Sequence, residues 1–166
     1  MKCLVFSDSH GTCEPMCAAL RMHPDAEVIF FLGDGLRDFD EVICDVTRPL
    51  TVVAVQGNCD FYSLVRGAPV HKSEIISLEG HRIFCTHGDV YGVKGSLSSV
   101  SARARAVGAD IVLFGHTHVP MEWYESDPTP LYLFNPGSIG VRREGVYSFG
   151  ILTLCRESVL FSHGNV

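Results

Sequence analysis

Five short apolar runs in this chain are each followed directly by a cluster of small and polar residues, and this repeated pattern restricts the folds available to it. In chain order the runs are Lys2 to Phe6, Val28 to Leu32, Thr51 to Val55, Ile83 to Cys85 and Ile111 to Phe114. A short continuous apolar run is typical of a parallel strand that is buried on both faces. The sequence therefore predicts a sheet that other elements cover on each side.

Helix-like segments separate the first three runs. Glu14 to Met22 and Phe39 to Val46 both carry apolar residues at helical spacing. The order strand, helix, strand, helix, strand implies right-handed crossovers and a parallel sheet. The first third of the chain is therefore predicted to be α/β.

The second half of the chain is richer in strand patterns. Ser73 to Leu78 and Arg82 to Thr86 flank Glu79-Gly80 and predict a hairpin, and Ser96 to Val107 predicts a helix. Further strands are predicted at Met121 to Tyr124, Leu131 to Phe134, Tyr147 to Leu154 and Val159 to Phe161. We expect two packed sheets with helices outside them, in one domain over residues 1–166.

Charge and composition exclude several classes of protein. The formal net charge is −6, so stable binding to duplex nucleic acid is not expected. No apolar run approaches the roughly 18 residues that a membrane-spanning helix needs, and no signal peptide is recognisable. Seven cysteines without paired spacing predict reduced thiols and a cytoplasmic protein. Cys3, Cys85 and Cys155 lie in apolar runs and are predicted to be core residues.

The polar clusters that follow the five runs contain seven candidate metal ligands. They are Asp8, His10, Asp34, Asn58, His87, His116 and His118. In open α/β sheets ligands bind beyond the carboxyl ends of the strands, so these side chains are expected to meet at one edge of the fold. Any single Asp or His of this kind is more often a cap or a turn residue. Five such clusters in one chain favour a metal centre.

The chemistry of the donors indicates which metals would fit. Imidazole and carboxylate donors without a thiolate suit Mn, Fe, Ni, Co or Zn and suit Mg or Ca poorly. Seven donors are too many for one tetrahedral site but are enough for two ions that share a carboxylate. Two divalent ions, two carboxylates and one hydroxide leave a net charge of +1, which would attract a phosphate group.

The same clusters resemble a known family. Asp8-Ser9-His10, Gly33-Asp34, Gly57-Asn58-Cys59-Asp60, Thr86-His87-Gly88 and Gly115-His116-Thr117-His118 match, in order, the five motifs of the calcineurin-like metallophosphoesterases. The short chain and Asn135-Pro136-Gly137-Ser138 are most similar to the small bacterial and archaeal phosphodiesterases of the YfcE type. The resemblance implies a four-layer α-β-β-α sandwich of two mixed sheets flanked by helices.

The resemblance also implies a role for each motif residue. One ion would be held by Asp8, His10, Asp34 and His118, and the second by Asp34, Asn58, His87 and His116, with Asp34 bridging. Two divalent transition-metal ions, with Mn favoured, would activate a bridging hydroxide as the nucleophile against a small phosphate ester. Asp60 would orient a ligand imidazole, and its alternative role is to cap the turn.

One residue departs from the pattern of many relatives. Cys59 stands where they carry a histidine that assists the transition state or the leaving group. A thiol is a weaker hydrogen-bond donor than an imidazolium and a poor acid for an alkoxide. With Asn58 and Cys59 as predicted substrate-binding residues, we expect slow turnover and a preference for diesters with good leaving groups.

Other functions are compatible with this fold and are weaker. The family fold also serves as a non-catalytic protein-binding scaffold in retromer-type subunits, but a scaffold does not need all seven donors. A nuclease is disfavoured by the acidic charge, although short single-stranded or cyclic nucleotides remain candidate substrates. A homo-oligomer is compatible with the composition. Trp123 and Tyr124 could line a substrate pocket, and packing against the second sheet is favoured for both.

Overall fold

A computed structural model describes residues 1–156 and 158–166 of the chain. Its helices are Glu14–Met22 (α1), Leu36–Cys44 (α2) and Ser98–Ala106 (α3), with a 3-10 turn at Asp89–Tyr91. Its strands are Lys2–Phe6 (β1), Val28–Phe31 (β2), Thr51–Ala54 (β3), Leu64–Val65 (β4), Ala68–Pro69 (β5), Ser73–Leu78 (β6), His81–Thr86 (β7), Ile111–Phe114 (β8), Pro120–Glu125 (β9), Leu131–Pro136 (β10), Ser148–Cys155 (β11) and Ser158–Asn165 (β12).

Ten of these strands form two mixed sheets of five strands each. The first sheet has the order β12-β11-β1-β2-β3, with β1, β2 and β3 parallel and the other two strands antiparallel to their neighbours. The second has the order β6-β7-β8-β10-β9, with β7, β8 and β10 parallel. The predicted parallel pairing of the first three strands and the predicted hairpin of β6 and β7 are both confirmed.

Three apolar clusters show how the layers pack. Val5, Phe30 and Leu113 belong to a cluster shared by both sheets, so the main core lies between them. Successive residues of β1 alternate between the two faces of the sheet, and Leu4 accordingly packs with the residues of α1 and α2 on the outer face. Phe84 and residues of α3 form the third cluster on the far side. The layer order is α-β-β-α, as the resemblance implied.

Several predicted boundaries shift for local reasons. The strand predicted over Val28 to Leu32 ends at Phe31, because the Leu32 carbonyl accepts a hydrogen bond from His87 instead of continuing the ladder. The helix predicted over Phe39 to Val46 is Leu36–Cys44. The helix predicted over Ser96 to Val107 begins at Ser98, whose backbone N–H donates to the hydroxyl of Ser96.

Two predictions about the strand-rich regions are wrong or incomplete. Cys155 is exposed at the end of β11, whereas Cys3 and Cys85 are buried as predicted. The alternation of β11 turns Leu154 inward, and Cys155 therefore faces solvent. The short pair of β4 and β5 was not predicted, because strands of two residues carry no periodicity. All seven cysteines are free, and none of the helices in the described chain is long and apolar enough to cross a bilayer.

Candidate metal centre

The carboxyl ends of both sheets meet at one edge of the molecule. Asp8, Asp34 and Asn58 follow β1, β2 and β3 of the first sheet, and His87 and His116 follow β7 and β8 of the second. Backbone hydrogen bonds connect these strand ends within each sheet. The N–H of His10 donates to the backbone carbonyl of Asp34 at 3.2 Å, and the N–H of Gly115 donates to the backbone carbonyl of His87 at 3.0 Å. The predicted convergence of the polar clusters is thus present in the structure.

Most of the candidate ligands have an unusual backbone conformation. Eight non-glycine residues of the described chain have positive φ, and five of them are Asp8, His10, Asp34, His116 and His118. A left-handed conformation costs a non-glycine residue about 1–2 kcal/mol. Such strain persists where the surrounding structure enforces it, and it concentrates at functional sites. The backbone is therefore strained where the candidate ligands lie.

The first cluster contains Asp8, His10 and His118, whose ligand atoms all lie within 4.8 Å of one another. The Nε2 atoms of the two histidines are 3.3 Å apart, and His118 Nε2 is 3.1 Å from Asp8 Oδ1. These separations are close to the edge of a tetrahedron with metal–nitrogen bonds of 2.0–2.1 Å, which is about 3.4 Å. The cluster has the dimensions of a cation site.

The two oxygen atoms of the Asp8 carboxylate have different surroundings. Oδ2 accepts hydrogen bonds from the Ser7 hydroxyl at 2.5 Å and from the backbone N–H of His116 at 3.1 Å. Oδ1 is buried and has no hydrogen-bond partner, because the 3.1 Å contact with His118 lacks hydrogen-bond alignment. A buried carboxylate oxygen without a partner is costly unless a cation is nearby. This oxygen therefore fits the role of a metal ligand.

The second cluster contains Asp34, His87 and His116. His87 Nδ1 lies 2.7 Å from the carbonyl oxygen of Leu32, and since a carbonyl can only accept, this nitrogen carries the proton. The Nε2 atom of His87 faces the cluster, 3.3 Å from Asp34 Oδ2 and 3.1 Å from His116 Nδ1. A fixed tautomer of this kind is typical of a histidine that binds a metal.

Asp34 lies between the two clusters. Besides its place in the second cluster, its carboxylate lies within 4.8 Å of a ring nitrogen of His10, which belongs to the first. Asp34 Oδ1 also accepts a hydrogen bond from the backbone N–H of Cys59 at 2.7 Å. This is the position that a bridging carboxylate requires.

The electrostatics of the second cluster favour an ionised carboxylate at Asp34 and a neutral imidazole at His116. Burial opposes ionisation of Asp34, but hydrogen bonding and charge from His87 and the N–H of Cys59 outweigh it and hold the Asp34 pKa well below its usual range. Burial also lowers the pKa of His116, and the neighbouring His87 and Lys94 lower it further. Burial alone would lower the pKa of His87, yet the contact with Asp34 raises it. These donors fit a divalent cation.

Asp60 does not have the contact that the sequence suggested. Its carboxylate accepts hydrogen bonds from four backbone N–H groups at 2.8–2.9 Å. The donors are Asp34, Gly35, Leu36 and Gly57. The prediction that Asp60 orients a ligand imidazole is therefore wrong, and the alternative role as a cap is the observed one. Asp60 fixes the backbone on which Asp34 stands.

Asn58 and Cys59 occupy the exposed rim of the site. The Cys59 sulfur lies within 4.8 Å of ligand atoms of His10 and Asp34, and the Asn58 amide donates to that sulfur at 3.2 Å. Burial and the neighbouring Asp34 carboxylate raise the pKa of the thiol. The thiol is thus protonated at neutral pH and is a weak acid.

Several supporting residues were not identified as such from the sequence. Asp38 of α2 accepts hydrogen bonds from the Ser9 hydroxyl at 2.6 Å and from the N–H of Gly11 at 2.7 Å. Ser138 lies in the expected turn near the site, and its hydroxyl donates to the Asp8 carbonyl at 2.8 Å. Asp38 is distant in sequence from the loop it supports, so only its spacing within the helix was visible.

Other predicted features lie away from the site. Trp123 and Tyr124 on β9 are about half exposed; Tyr124 contacts Tyr132, but the expectation that both are packed is only partly met. An apolar recess of about 480 Å³ opens between β3 and β6, and no candidate ligand lines it. The candidate ligands therefore lie apart from this recess, on the polar surface at the strand ends.

Comparison with known proteins identifies relatives along nearly the whole chain. The model of the calcineurin-like phosphoesterase superfamily domain matches residues 1–157. The probable metallophosphoesterase YsnB of Bacillus subtilis is 35% identical over 156 residues, which cover 93% of this chain and 85% of YsnB. Phosphodiesterase YfcE of Escherichia coli K12 is 30% identical over 172 residues, covering 92% of this chain and 87% of YfcE.

The fold is also found in a solved structure of more distant sequence. Vps29 of Entamoeba histolytica, solved in complex with zinc, superimposes with a TM-score of 0.74 over 99% of each chain at 19% identity. At this identity the likeness establishes the shared fold alone.

Proposed function

This chain belongs to the calcineurin-like phosphoesterase superfamily, and from that premise we propose that it is a phosphodiesterase that hydrolyses small phosphate esters with two divalent metal ions. The observation that carries this proposal is the position of Asp34 between two clusters of histidine and carboxylate donors. A carboxylate in this position can bridge two ions that lie about 3.5–4 Å apart, the separation found in two-metal hydrolase sites. Membership of the family supports hydrolase activity, and the preference for diesters is a more specific proposal about the substrate.

The proposed ligands are the histidines, carboxylates and asparagine of the strand ends, and Asp8 Oδ1 among them is buried without a hydrogen-bond partner. One ion would be held by Asp8, His10, Asp34 and His118, and the other by Asp34, Asn58, His87 and His116. When bound, the ions would lower the pKa of a water molecule and neutralise charge on the phosphoryl oxygens. Mn²⁺ is proposed first, and Fe, Ni, Co and Zn suit the same donors.

The chain's own residues orient the ligands. Ser7 and the backbone of His116 bind one oxygen of Asp8, which leaves the other directed at the first cluster. The Leu32 carbonyl keeps the proton of His87 on Nδ1. These contacts hold the donors in the form that binds a cation, and little reorganisation is needed on binding.

The proposed preference for diesters with good leaving groups over alkyl monoesters rests on Cys59. Many relatives have a histidine at this position, and the thiol here is exposed beside Asp34. Because its pKa is raised by burial and by the Asp34 carboxylate, it is a poor proton donor to a leaving group at neutral pH. Substrates whose leaving group needs no proton, such as aryl diesters, are therefore the proposed class.

The test is hydrolysis of an aryl phosphodiester and the matching monoester by metal-stripped protein. Mn²⁺, Ni²⁺, Co²⁺, Zn²⁺ and Mg²⁺ are restored in turn. We expect diesterase activity with the transition metals and little with Mg²⁺. His116→Ala should lose it, whereas His71→Ala, which changes an exposed histidine outside the candidate site, should retain it.

The alternative is a non-catalytic protein-binding scaffold of the same fold. A folded protein without activity with any of the five metals would favour that alternative.

The net charge of −6 supports a small substrate over duplex nucleic acid. The seven free thiols are consistent with a proposed location in the reducing cytoplasm.

A further inference from the structure

A recess of about 580 Å³ opens between α2 and the loop that follows β3. It is lined by Arg37, Asp40 and Glu41 of α2 and by Phe61 and Tyr62 of the loop that follows β3. The Phe61 side chain is fully exposed to solvent, and Tyr62 is 41% exposed. A single exposed apolar residue needs no explanation. Phe61 and Tyr62, however, are consecutive aromatic residues that line one recess, and such a grouping is typical of a binding site.

Phe61 is close to the candidate ligands along the chain. It follows Cys59 by two residues, and the Cys59 sulfur lies within 4.8 Å of ligand atoms of His10 and Asp34. Two residues of extended chain span at most about 7 Å. An organic group attached to a phosphate at the metal centre could therefore reach the phenyl ring.

The aromatic wall of the recess is held in place. The Asp60 carboxylate accepts hydrogen bonds from the backbone N–H groups of Asp34 and Gly57, and the side chain of Gln56 donates to the Asp60 carbonyl at 2.8 Å. The Tyr62 hydroxyl donates to Asp40 at 3.4 Å. Phe61 therefore extends between two anchored residues, so a ligand that contacts it orders little additional chain.

The charges of the recess restrict what can occupy it. Asp40 and Glu41 contribute −2 and Arg37 contributes +1, so the lining has a formal charge of −1. A phosphate would be disfavoured there, whereas the metal centre is built to receive one. The recess suits a neutral, planar group that can stack on an aromatic ring.

We propose that Phe61 is a specificity-determining residue that stacks on a planar aromatic group of the phosphodiester, of the nucleoside kind, while the phosphate lies at the metal centre. This inference rests on the proposed function for the placement of the phosphate. Stacking of one base on an aromatic side chain corresponds to about a 5- to 150-fold change in affinity.

Binding of two phosphate monoesters tests the inference without turnover. Adenosine 5′-monophosphate and ribose 5-phosphate share the phosphate and the sugar and differ in the base. Their affinities are measured by calorimetry with Mn²⁺ present. We expect the wild-type protein to bind the adenosine compound at least 5-fold more tightly. Phe61→Ala should abolish that difference without weakening ribose 5-phosphate, and Phe61→Tyr should retain it.

Trp123→Ala is the matched control, because Trp123 is another exposed aromatic side chain away from the recess. It should leave both affinities unchanged. Equal binding of the two compounds by the wild-type protein, or an equal loss for both in Phe61→Ala, would overturn the inference. Hydrolysis of an aryl diester is measured in parallel: its absence would refute the proposed function, and its presence without base discrimination would refute only the role of Phe61.

Discussion

At the scale of single residues, the site depends on the different surroundings of the two Asp8 carboxylate oxygens. One oxygen of Asp8 accepts two hydrogen bonds from protein groups, and the other is buried without a partner. Asp8 could be singled out from the sequence because it follows an apolar run and precedes His10 by two residues. Its unpartnered oxygen could not, because that depends on Ser7 and on His116, 108 positions later.

Asp8→Asn separates metal binding from folding. The amide oxygen can still accept from Ser7, and the substitution removes a buried negative charge at the unpartnered oxygen, so the metal-free variant should be at least as stable as the wild-type protein. A ligand present at 100 times its Kd stabilises a protein by about 2.7 kcal/mol, and the variant should lose that gain. Thermal unfolding with and without Mn²⁺ measures both effects.

The control for this variant is Asp25→Asn, which removes an exposed partner of Lys2 and should keep the full response to Mn²⁺. A variant at position 8 that Mn²⁺ stabilises as strongly as the wild-type protein would show that Asp8 is not a ligand.

Cys59→His should restore a proton donor beside the phosphate. General acid catalysis contributes about 10²–10⁴-fold where it operates, and we expect monoesterase kcat/KM to rise at least about tenfold. Cys44→His changes another exposed cysteine, on α2, and should have no effect. If the monoesterase rate of Cys59→His stays at the wild-type level, a missing acid is not what limits turnover.

At the scale of elements, the strands and α1 were predictable from the sequence, and the ends of α2 and α3 were not. Continuous apolar runs identify β1, β2 and β8 within a residue, because burial on both faces leaves no polar positions. The start of α2 depends on Asp60, which accepts the N–H of Leu36 from 24 positions away. No local pattern carries that contact, so the predicted helix began three residues too late.

Gly57→Ala should damage the site through the end of β3. A methyl group there would collide with the Asp34 carboxylate and with the backbone nitrogen of Asp34. We expect a loss of Mn²⁺ binding by calorimetry and a lower unfolding temperature. Gly95→Ala is the control, since its methyl group would meet only a carbonyl oxygen at an ordinary 3.7 Å. Wild-type Mn²⁺ affinity in Gly57→Ala would contradict the close packing of this glycine against Asp34.

His81 links the starts of β7 and β8 to the end of β11. Its Nδ1 lies 2.6 Å from Asp110, and its Nε2 lies 3.0 Å from the Cys155 carbonyl. Burial alone would lower its pKa, but these two acceptors outweigh burial and raise it. Since both acceptors need an N–H, the doubly protonated ring is the form that the fold stabilises.

The raised pKa of His81 in the folded state determines how the free energy of unfolding changes with pH. The contribution of His81 to stability is complete below its unfolded pKa of about 6.5 and is lost as the pH rises through the higher folded pKa. His81→Ala should cost about 1.5–3 kcal/mol at pH 5.5 and less at pH 9, measured by urea unfolding. A loss that is equal at both pH values would exclude a charged His81.

At the scale of the whole molecule, the centre forms only when the two sheets pack. Asp34 belongs to the first sheet, and His87 and His116 belong to the second, yet their ligand atoms lie within 4.8 Å of one another. The apolar cluster between the sheets therefore sets the geometry of the site. Metal binding and folding should be coupled for the same reason.

The central claim is that two ions act together on a phosphodiester, and one titration tests it. Mn²⁺ is added in known equivalents to metal-stripped protein, and the rate of aryl diester hydrolysis is measured after each addition. The protein concentration is kept well above the Kd for Mn²⁺. The account predicts a rate that rises until two equivalents per chain are bound and then levels off. A plateau at one equivalent, or no hydrolysis at any ratio by the folded protein, would contradict it.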